Sequence, residues 1–234
     1  PPFEDRAAAY HAFVLGRSLE GAGDIDGAVA AYERAAEIDP AAADIWAELA
    51  ALYARQNRPD EAITAGNAAL ERDPDHAGAH RTLGLVFAAR AGARSGPSQG
   101  DVDRAVRYFE RAANDERYPG RSDAMANAGL CLHRAGQVDS AEEHYRQALA
   151  MDSSQLTAFT GMARLKFEQG DFLRARAFNQ RADSVAQLNA DQLLLGARIE
   201  LALGDRDAAA AYVERHNARE PSATLSLRQL EQSR

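Results

Sequence analysis

The sequence contains one pair of histidines at metal-ligand spacing, His76 and His80, four residues apart in the stretch HAGAH. Two imidazoles at this spacing share one face of a helix and could bind a transition metal. A stable site needs further ligands, and no third ligand accompanies this pair. His80 also occupies the position that Trp46 holds 34 residues earlier, so we expect a packing role and predict no metal site.

Nucleophilic catalysis needs a nucleophile beside a base, and the chain offers one cysteine, Cys131. On a helix, Cys131 and His133 point to different sides, while His144 belongs to a different helix. The glycines of GAGDIDG lack the Lys and Ser/Thr of a phosphate-binding loop. We therefore predict no enzyme activity and no cofactor, and we expect Cys131 to be a small buried apolar residue.

The composition favours helices built on small residues, because 46% of the 234 residues are apolar but only 7% are aromatic. The net charge of −8 disfavours general attraction to nucleic acid or to an anionic membrane surface. No stretch approaches the roughly 18 uninterrupted apolar residues of a membrane span. We predict no nucleic-acid partner and no membrane-spanning segment.

Two series of small residues recur along the chain with a basic period of 34 residues. Within a period, the two series are 12 residues apart in five of six cases. The first series is Gly16, Ala50, Gly84, Gly129, Ala163 and Ala197, and the second is Ala28, Ala62, Ala105, Ala141, Ala175 and Ala209.

Each period predicts two amphipathic helices joined by a tight turn. In the first period these run from about Ala8 to Glu20 and from about Asp26 to Ile38. Pro40 then stops the second helix, because proline lacks the helical N–H and disfavours the α conformation at the preceding residue. The small residues allow close helix approach, so the fold class is all-α.

The positions of Trp46, Leu49, Ala62 and Pro74 resemble the tetratricopeptide repeat. The resemblance implies one right-handed α-solenoid of about six helical hairpins and a short capping helix over residues 224–234. The predicted units are about 9–42, 43–76, 77–121, 122–155, 156–189 and 190–223. Nine added residues predict a flexible loop near 92–100, and Tyr118-Pro119 lies where two further residues separate units three and four.

The second half also resembles the PilF/PilW family of type IV pilus biogenesis proteins. The matching residues are Tyr118, Pro119, Asn127, Gly129, Leu194, Leu195, Gly196, Arg198, Asp205 and Asp207. The resemblance implies an outer-membrane lipoprotein facing the periplasm, a pilotin that helps the pilus secretin to assemble. The lipid-bearing N-terminal Cys is absent, so we expect membrane attachment only through an anchor that this chain lacks.

The first half looks more like generic bacterial repeat proteins, which leaves an alternative open. The chain would then be a natural, designed or spliced scaffold or a cytoplasmic adaptor with no pilus role, with any seam near Asn114.

The concave face of such a solenoid is lined by the first helix of each unit, which predicts a binding groove. The groove would have an apolar floor with six arginines and would bind an extended or helical peptide carrying apolar anchors and carboxylates. We expect the acidic residues mainly elsewhere. Alternatively, the arginines only pair with acidic residues of neighbouring helices. The predicted groove residues are Phe13, Arg17, Arg55, Arg81, Leu85, Leu130, Arg134, Arg164, Phe167, Leu194, Arg198 and Leu201.

Overall fold

The computed structural model describes residues 3–92 and 98–232, and all regular structure in these ranges is helical. None of the described helices is both long and apolar enough to cross a membrane. The helices are α1 (Phe3–Gly21), α2 (Ile25–Ile38), α3 (Ala43–Arg55), α4 (Pro59–Arg72), α5 (Ala77–Gly92), α6 (Gln99–Asn114), α7 (Arg121–Arg134), α8 (Val138–Met151), α9 (Leu156–Glu168), α10 (Phe172–Val185), α11 (Ala190–Ala202), α12 (Arg206–Arg219) and α13 (Leu227–Gln232), with a 3₁₀ turn at Pro221–Ala223.

Consecutive helices pack in pairs from α1 with α2 to α11 with α12, which confirms the six predicted hairpins. From α3 to α11, the first helix of each unit also contacts the first helix of the next. Second helices of successive units make no comparable contact in the described ranges. The first helices are therefore closer together and line the inner face of a solenoid. At its end, α13 packs on α12 and buries Leu230, as expected of a capping helix.

Three of the four helix ends predicted for the first unit agree with the structure to within one residue. Helix α2 ends at Ile38 and α4 at Arg72, each two residues before a proline. Helix α1 is an exception, since it begins at Phe3 instead of Ala8. Glu4 and Asp5 in its first turn favour this extension, because acidic side chains stabilise a helix N-terminus.

The small residues of both series lie at the helix contacts. All six alanines of the second series are fully buried. Where the first series has glycine, an aromatic ring of the partner helix lies so close that a Cβ atom would clash. An added Cβ would lie 2.6 Å from a ring atom of Tyr32 at Gly16, 2.7 Å from Phe109 at Gly84 and 2.8 Å from Tyr145 at Gly129. Where the first series has alanine, the partner helix has a smaller residue in place of the aromatic one, namely Gly66, Asn179 or Val213.

The turns inside five of the six units use one left-handed residue each. These residues are Gly23, Asn57, Gly136, Gly170 and Gly204, with φ between 56° and 84°. The next residue donates its backbone N–H to a carbonyl five residues earlier, as Asp24 does to Leu19 at 2.9 Å. This bond satisfies a carbonyl at the end of the first helix and reverses the chain.

Unit three differs because its helices are longer than the sequence predicted. The predicted loop near 92–100 lies partly on residues 93–97, outside the described residues, while Gly92, Gln99 and Gly100 are helical. The additional turns bury Ala91 and Val102 in the core. That burial outweighs the weak helix propensity of glycine, on which the loop prediction rested.

The Tyr118-Pro119 break does not interrupt the solenoid. The Tyr118 N–H donates to the Asp115 carbonyl at 3.0 Å, and the tyrosine ring packs half-buried against the core of units three and four. Helix α6 still packs on α7, so the two additional residues leave the stacking intact.

Candidate peptide-binding groove

Two adjoining cavities open on the inner face, and Leu85 and Ala89 of α5 line both of them. We call them the Arg81 cavity, of about 420 Å³, and the Arg134 cavity, of about 480 Å³. Leu85 is 38% exposed although it is a large apolar residue. An exposed leucine between two cavities offers apolar surface that the rest of the described chain leaves uncovered.

The Arg81 cavity lies between units two and three. Arg55 of α3 and Arg81 of α5 border it, and Ala51 and Ala54 contribute small apolar surfaces from α3. Alanines at these two positions leave space between the helices because their side chains are short. The cavity therefore combines an apolar surface with two guanidinium groups.

The Arg134 cavity lies between units three and four. Leu130 and Arg134 of α7 border it together with Asn127, and Phe109 and Val102 line it from α6. Val102 is buried because α6 begins at Gln99, so the longer helix of unit three helps to form this cavity.

Most of the predicted groove arginines are free to bind a partner. Arg55 forms an ion pair with Glu20 of α1, as the pairing alternative predicts. The other five make no hydrogen bond or ion pair with any described residue, namely Arg17, Arg81, Arg134, Arg164 and Arg198. Arg81 and Arg134 stand out, because they are unpaired and also line the cavities.

Glutamates also lie on the first helices α1, α3 and α9, at Glu20, Glu48 and Glu168. Glu168 of α9 lies 2.8 Å from His133 of α7, and this pair occupies the same two repeat positions as Glu20 and Arg55. Glu48 of α3 is half-buried, and burial together with the charge of Glu20 raises its pKa. The sequence showed these side chains, but which ones face each other depends on how the units stack.

Four predicted groove residues serve the packing of their own hairpins. Phe13 packs on Tyr32, with ring centroids 5.3 Å apart, and Phe167 packs on Phe172 at 5.6 Å. Leu194 is half-buried against the core of unit six. Leu201 is buried within that core with 8% exposure, so its own hairpin covers most of its surface.

Sequence reasoning missed Ala89, Asn127 and Cys131 as cavity residues. Asn127 carried a signal, since it belongs to the pilus-family match, but alanine at position 89 carried none. Cys131 is buried, as predicted, and burial raises the pKa of its thiol. A protonated thiol is a poor nucleophile, so the cysteine contributes packing surface to the cavity.

The two histidines at metal-ligand spacing take separate roles. His80 Nε2 lies 2.8 Å from the Pro74 carbonyl, and Trp46 Nε1 donates to the Pro40 carbonyl at 3.0 Å. This equivalence confirms that His80 replaces Trp46 in the repeat. His76 instead pairs with Asp44 at 3.0 Å. Within the described ranges, no group of three or more His, Cys, Asp or Glu side chains is arranged to hold a metal.

Stacked hairpins with small residues at fixed contacts are typical of one class of interaction protein. A family model described as tetratricopeptide repeat matches residues 13–77 and 98–155, more than half of the chain. A second model of the same description matches residues 132–199. The chain belongs to the tetratricopeptide repeat family.

Within this class, the chain resembles type IV pilus assembly proteins. It is 27% identical over 198 residues to the type IV pilus assembly protein PilF of Pseudomonas aeruginosa, covering 85% of this chain and 75% of PilF. The crystal structure of PilW, a widely conserved type IV pilus biogenesis factor, matches with a TM-score of 0.78 and 28% identity over 92% of this chain and 95% of PilW. A solved structure of Pseudomonas aeruginosa PilF matches with a TM-score of 0.81 and 26% identity over 99% and 98% of the two chains.

These matches extend the resemblance predicted for the second half across the first half as well. A seam near Asn114 between unlike proteins therefore has no support from the comparisons.

Proposed function

We propose that this protein is a type IV pilus assembly factor that acts by binding, without catalysis, a segment of the pilus secretin in its groove. We further propose that it works on the periplasmic face of the outer membrane, as a pilotin does. The observation that supports this function is the pair of adjoining apolar cavities flanked by the unpaired Arg81 and Arg134.

The geometry favours a segment with two apolar anchors, one on each side of Leu85. A fully buried Leu or Phe anchor contributes about 1.5–3 kcal/mol. Carboxylates of the segment would pair with Arg81 and Arg134, whose planar guanidinium groups bind carboxylates through two hydrogen bonds. Exposed pairs of this kind contribute about 0–1 kcal/mol each, so the anchors supply most of the affinity and the arginines fix the register.

Binding of a purified secretin from the same organism tests this proposal. Reversal of the two cavity arginines, Arg81→Glu with Arg134→Glu, places two negative charges against the carboxylates and should weaken binding at least tenfold in isothermal titration calorimetry. The matched control is Arg34→Glu with Arg181→Glu. Both control arginines are exposed on second helices, and their guanidinium groups have no partner among the described residues.

The control variant should bind as tightly as the unchanged protein, and both variants should keep the same far-UV circular dichroism. Equal affinities of the two variants would contradict a role for the groove. A protein that binds no secretin at all would favour the scaffold alternative. Cell fractionation tests the location, since recovery of the protein from the cytoplasm would exclude the periplasmic assignment.

A further inference from the structure

A third cavity, which we call the outer cavity, lies between the second helices α4 and α6 and has a volume of about 630 Å³. It shares no lining residue with the Arg81 or Arg134 cavity. Three arginines of one helix, Arg104, Arg107 and Arg111, line it. The proposed secretin-binding function does not use this side of the solenoid.

His80, which stands where the preceding unit has tryptophan, lines the outer cavity. In that unit, the Arg72 guanidinium lies over the Trp46 indole, 5.1 Å from the ring centroid. The imidazole of His80 reaches its proline carbonyl in the same way but is smaller than an indole. Asp115 occupies the position equivalent to Arg72, so no arginine covers the space from that end.

One wall of the outer cavity is aromatic. The rings of Phe87 and Tyr108 are stacked with centroids 5.7 Å apart, and the Arg104 guanidinium lies 5.3 Å from the centroid of Phe87. These contacts hold Arg104 and Tyr108 in place beside the cavity. An apolar or aromatic part of a ligand can pack on this wall.

Two of the three arginines of the outer cavity lack an ion-pair partner among the described residues. Arg107 and Arg111 make no hydrogen bond or ion pair with a described residue, and Arg104 has only a 3.9 Å contact to Asp101. Asp75 is the one acidic residue among the described residues that line the cavity. Unit three is also the only unit whose sequence has arginine at all three of these repeat positions.

The positive charge of the cavity comes from arginine alone. Burial, with a smaller contribution from Arg111, lowers the pKa of His80, which disfavours its charged form. Guanidinium groups stay protonated at all ordinary pH values. The cavity therefore keeps its charge in an otherwise acidic protein.

We propose that the outer cavity binds a phosphate-bearing ligand whose apolar part packs on Tyr108. A phosphate monoester carries about −1.5 to −2 charges at pH 7 and has three acceptor oxygens. Its three oxygens can therefore accept hydrogen bonds from more than one guanidinium group, whereas a carboxylate has only two oxygens and one negative charge. The phosphate can belong to a soluble ester or to phosphatidic acid, the phospholipid whose headgroup is itself a phosphate monoester.

Phenyl phosphate is the probe, because it combines a phosphate monoester with an aromatic ring. Isothermal titration calorimetry should show saturable binding to the unchanged protein and at least tenfold weaker binding of benzoate, which carries a single carboxylate. The variant Arg107→Gln with Arg111→Gln should weaken phenyl phosphate binding at least tenfold. The matched control, Arg34→Gln with Arg181→Gln, removes the same charge at the equivalent position of two other second helices and should leave binding unchanged.

Sedimentation with phosphatidylcholine vesicles that contain phosphatidic acid separates the two sources. Arginine-dependent sedimentation together with phenyl phosphate binding assigns the site to a lipid headgroup, whereas phenyl phosphate binding alone assigns it to a soluble ester. Absence of saturable binding, equal losses in both variants, or benzoate binding as tight as that of phenyl phosphate would each overturn the proposal. The last outcome would point to an acidic peptide.

Discussion

A buried ion pair connects units four and five and offers a quantitative test of how the solenoid is stabilised. Lys166 of α9, the only lysine in the chain, is buried, and its Nζ donates to Glu142 of α8 at 2.8 Å. Gln169 also accepts from Lys166, at 3.0 Å, and Arg146 forms a further ion pair with Glu142. The Lys166 and Glu142 side chains are only 7% and 12% exposed.

The two repeat positions that Glu142 and Lys166 occupy hold different kinds of residue in the other units. Between units five and six they hold Arg176 and Glu200, which also form an ion pair, with the charges exchanged. Between the earlier units they are apolar: Val29 and Tyr53, Ile63 and Phe87, and Val106 and Leu132. The protein thus contains its own apolar replacement for the ion pair.

We expect Lys166→Leu to destabilise the protein by about 3 kcal/mol. Removing one partner of a buried ion pair costs about 3–5 kcal/mol, because the other charge remains buried. The lower end applies since Arg146, 61% exposed, still neutralises Glu142 in part. The double variant Glu142→Val with Lys166→Leu copies Val106 and Leu132 and should lie within about 1 kcal/mol of the unchanged protein.

Urea unfolding followed by far-UV circular dichroism measures these differences. Trp46, the only tryptophan, reports on unit two by fluorescence, so in the Lys166→Leu variant the dichroism should change at lower urea than the fluorescence. A double variant as unstable as the single variant would refute the reasoning. The aliphatic part of Lys166, and not its charge, would then stabilise the interface.

The pair also predicts a pH dependence. The hydrogen bond from Lys166 holds the pKa of Glu142 below its ordinary value of 4.5. A carboxyl with a lowered folded-state pKa stabilises the protein above the unfolded-state value, and this stabilisation is lost as the pH falls through the folded-state value. Below about pH 4.5, the unchanged protein should therefore lose more stability than the double variant, as urea midpoints measured across this range would show.

Two further predictions concern the helix contacts and the groove. Gly129→Ala places a Cβ 2.8 Å from the Tyr145 ring. Such overpacking destabilises a protein by about 1–3 kcal/mol, which we expect to exceed the gain of about 1 kcal/mol in helix propensity. The urea midpoint should fall, whereas Gly100→Ala, with no atom within 4 Å of the new Cβ, should not lower it; equal effects would contradict the contact. Because burial raises the pKa of the Cys131 thiol, alkylation by iodoacetamide at pH 7.5 should be at least tenfold slower than in the urea-unfolded chain by intact-mass spectrometry. Equal rates in the two states would show that Cys131 is accessible.

The resemblance to pilus proteins was visible in the sequence because it rests on residues near one another in the chain. Tyr118 and Pro119 lie in the turn before α7, and Gly129 lies in α7 itself. The candidate groove was only partly predictable from such local patterns. The repeat register assigned Arg81 and Arg134 to the inner face, but it assigned Leu201 there as well. Register alone does not tell which side chain the next helix covers.

The sequence by itself determined the helical hairpins, the positions of the small contact residues and three of the four helix ends of the first unit. These follow from short-range physics, since amphipathic periodicity, proline and left-handed turn residues act within a few residues of one another. The tertiary structure alone decided that Arg55 pairs with Glu20 while Arg81 stays free, that Lys166 is buried against Glu142, and that a cavity opens beside His80. Those outcomes depend on distances between side chains of different units, which are fixed only when the hairpins stack.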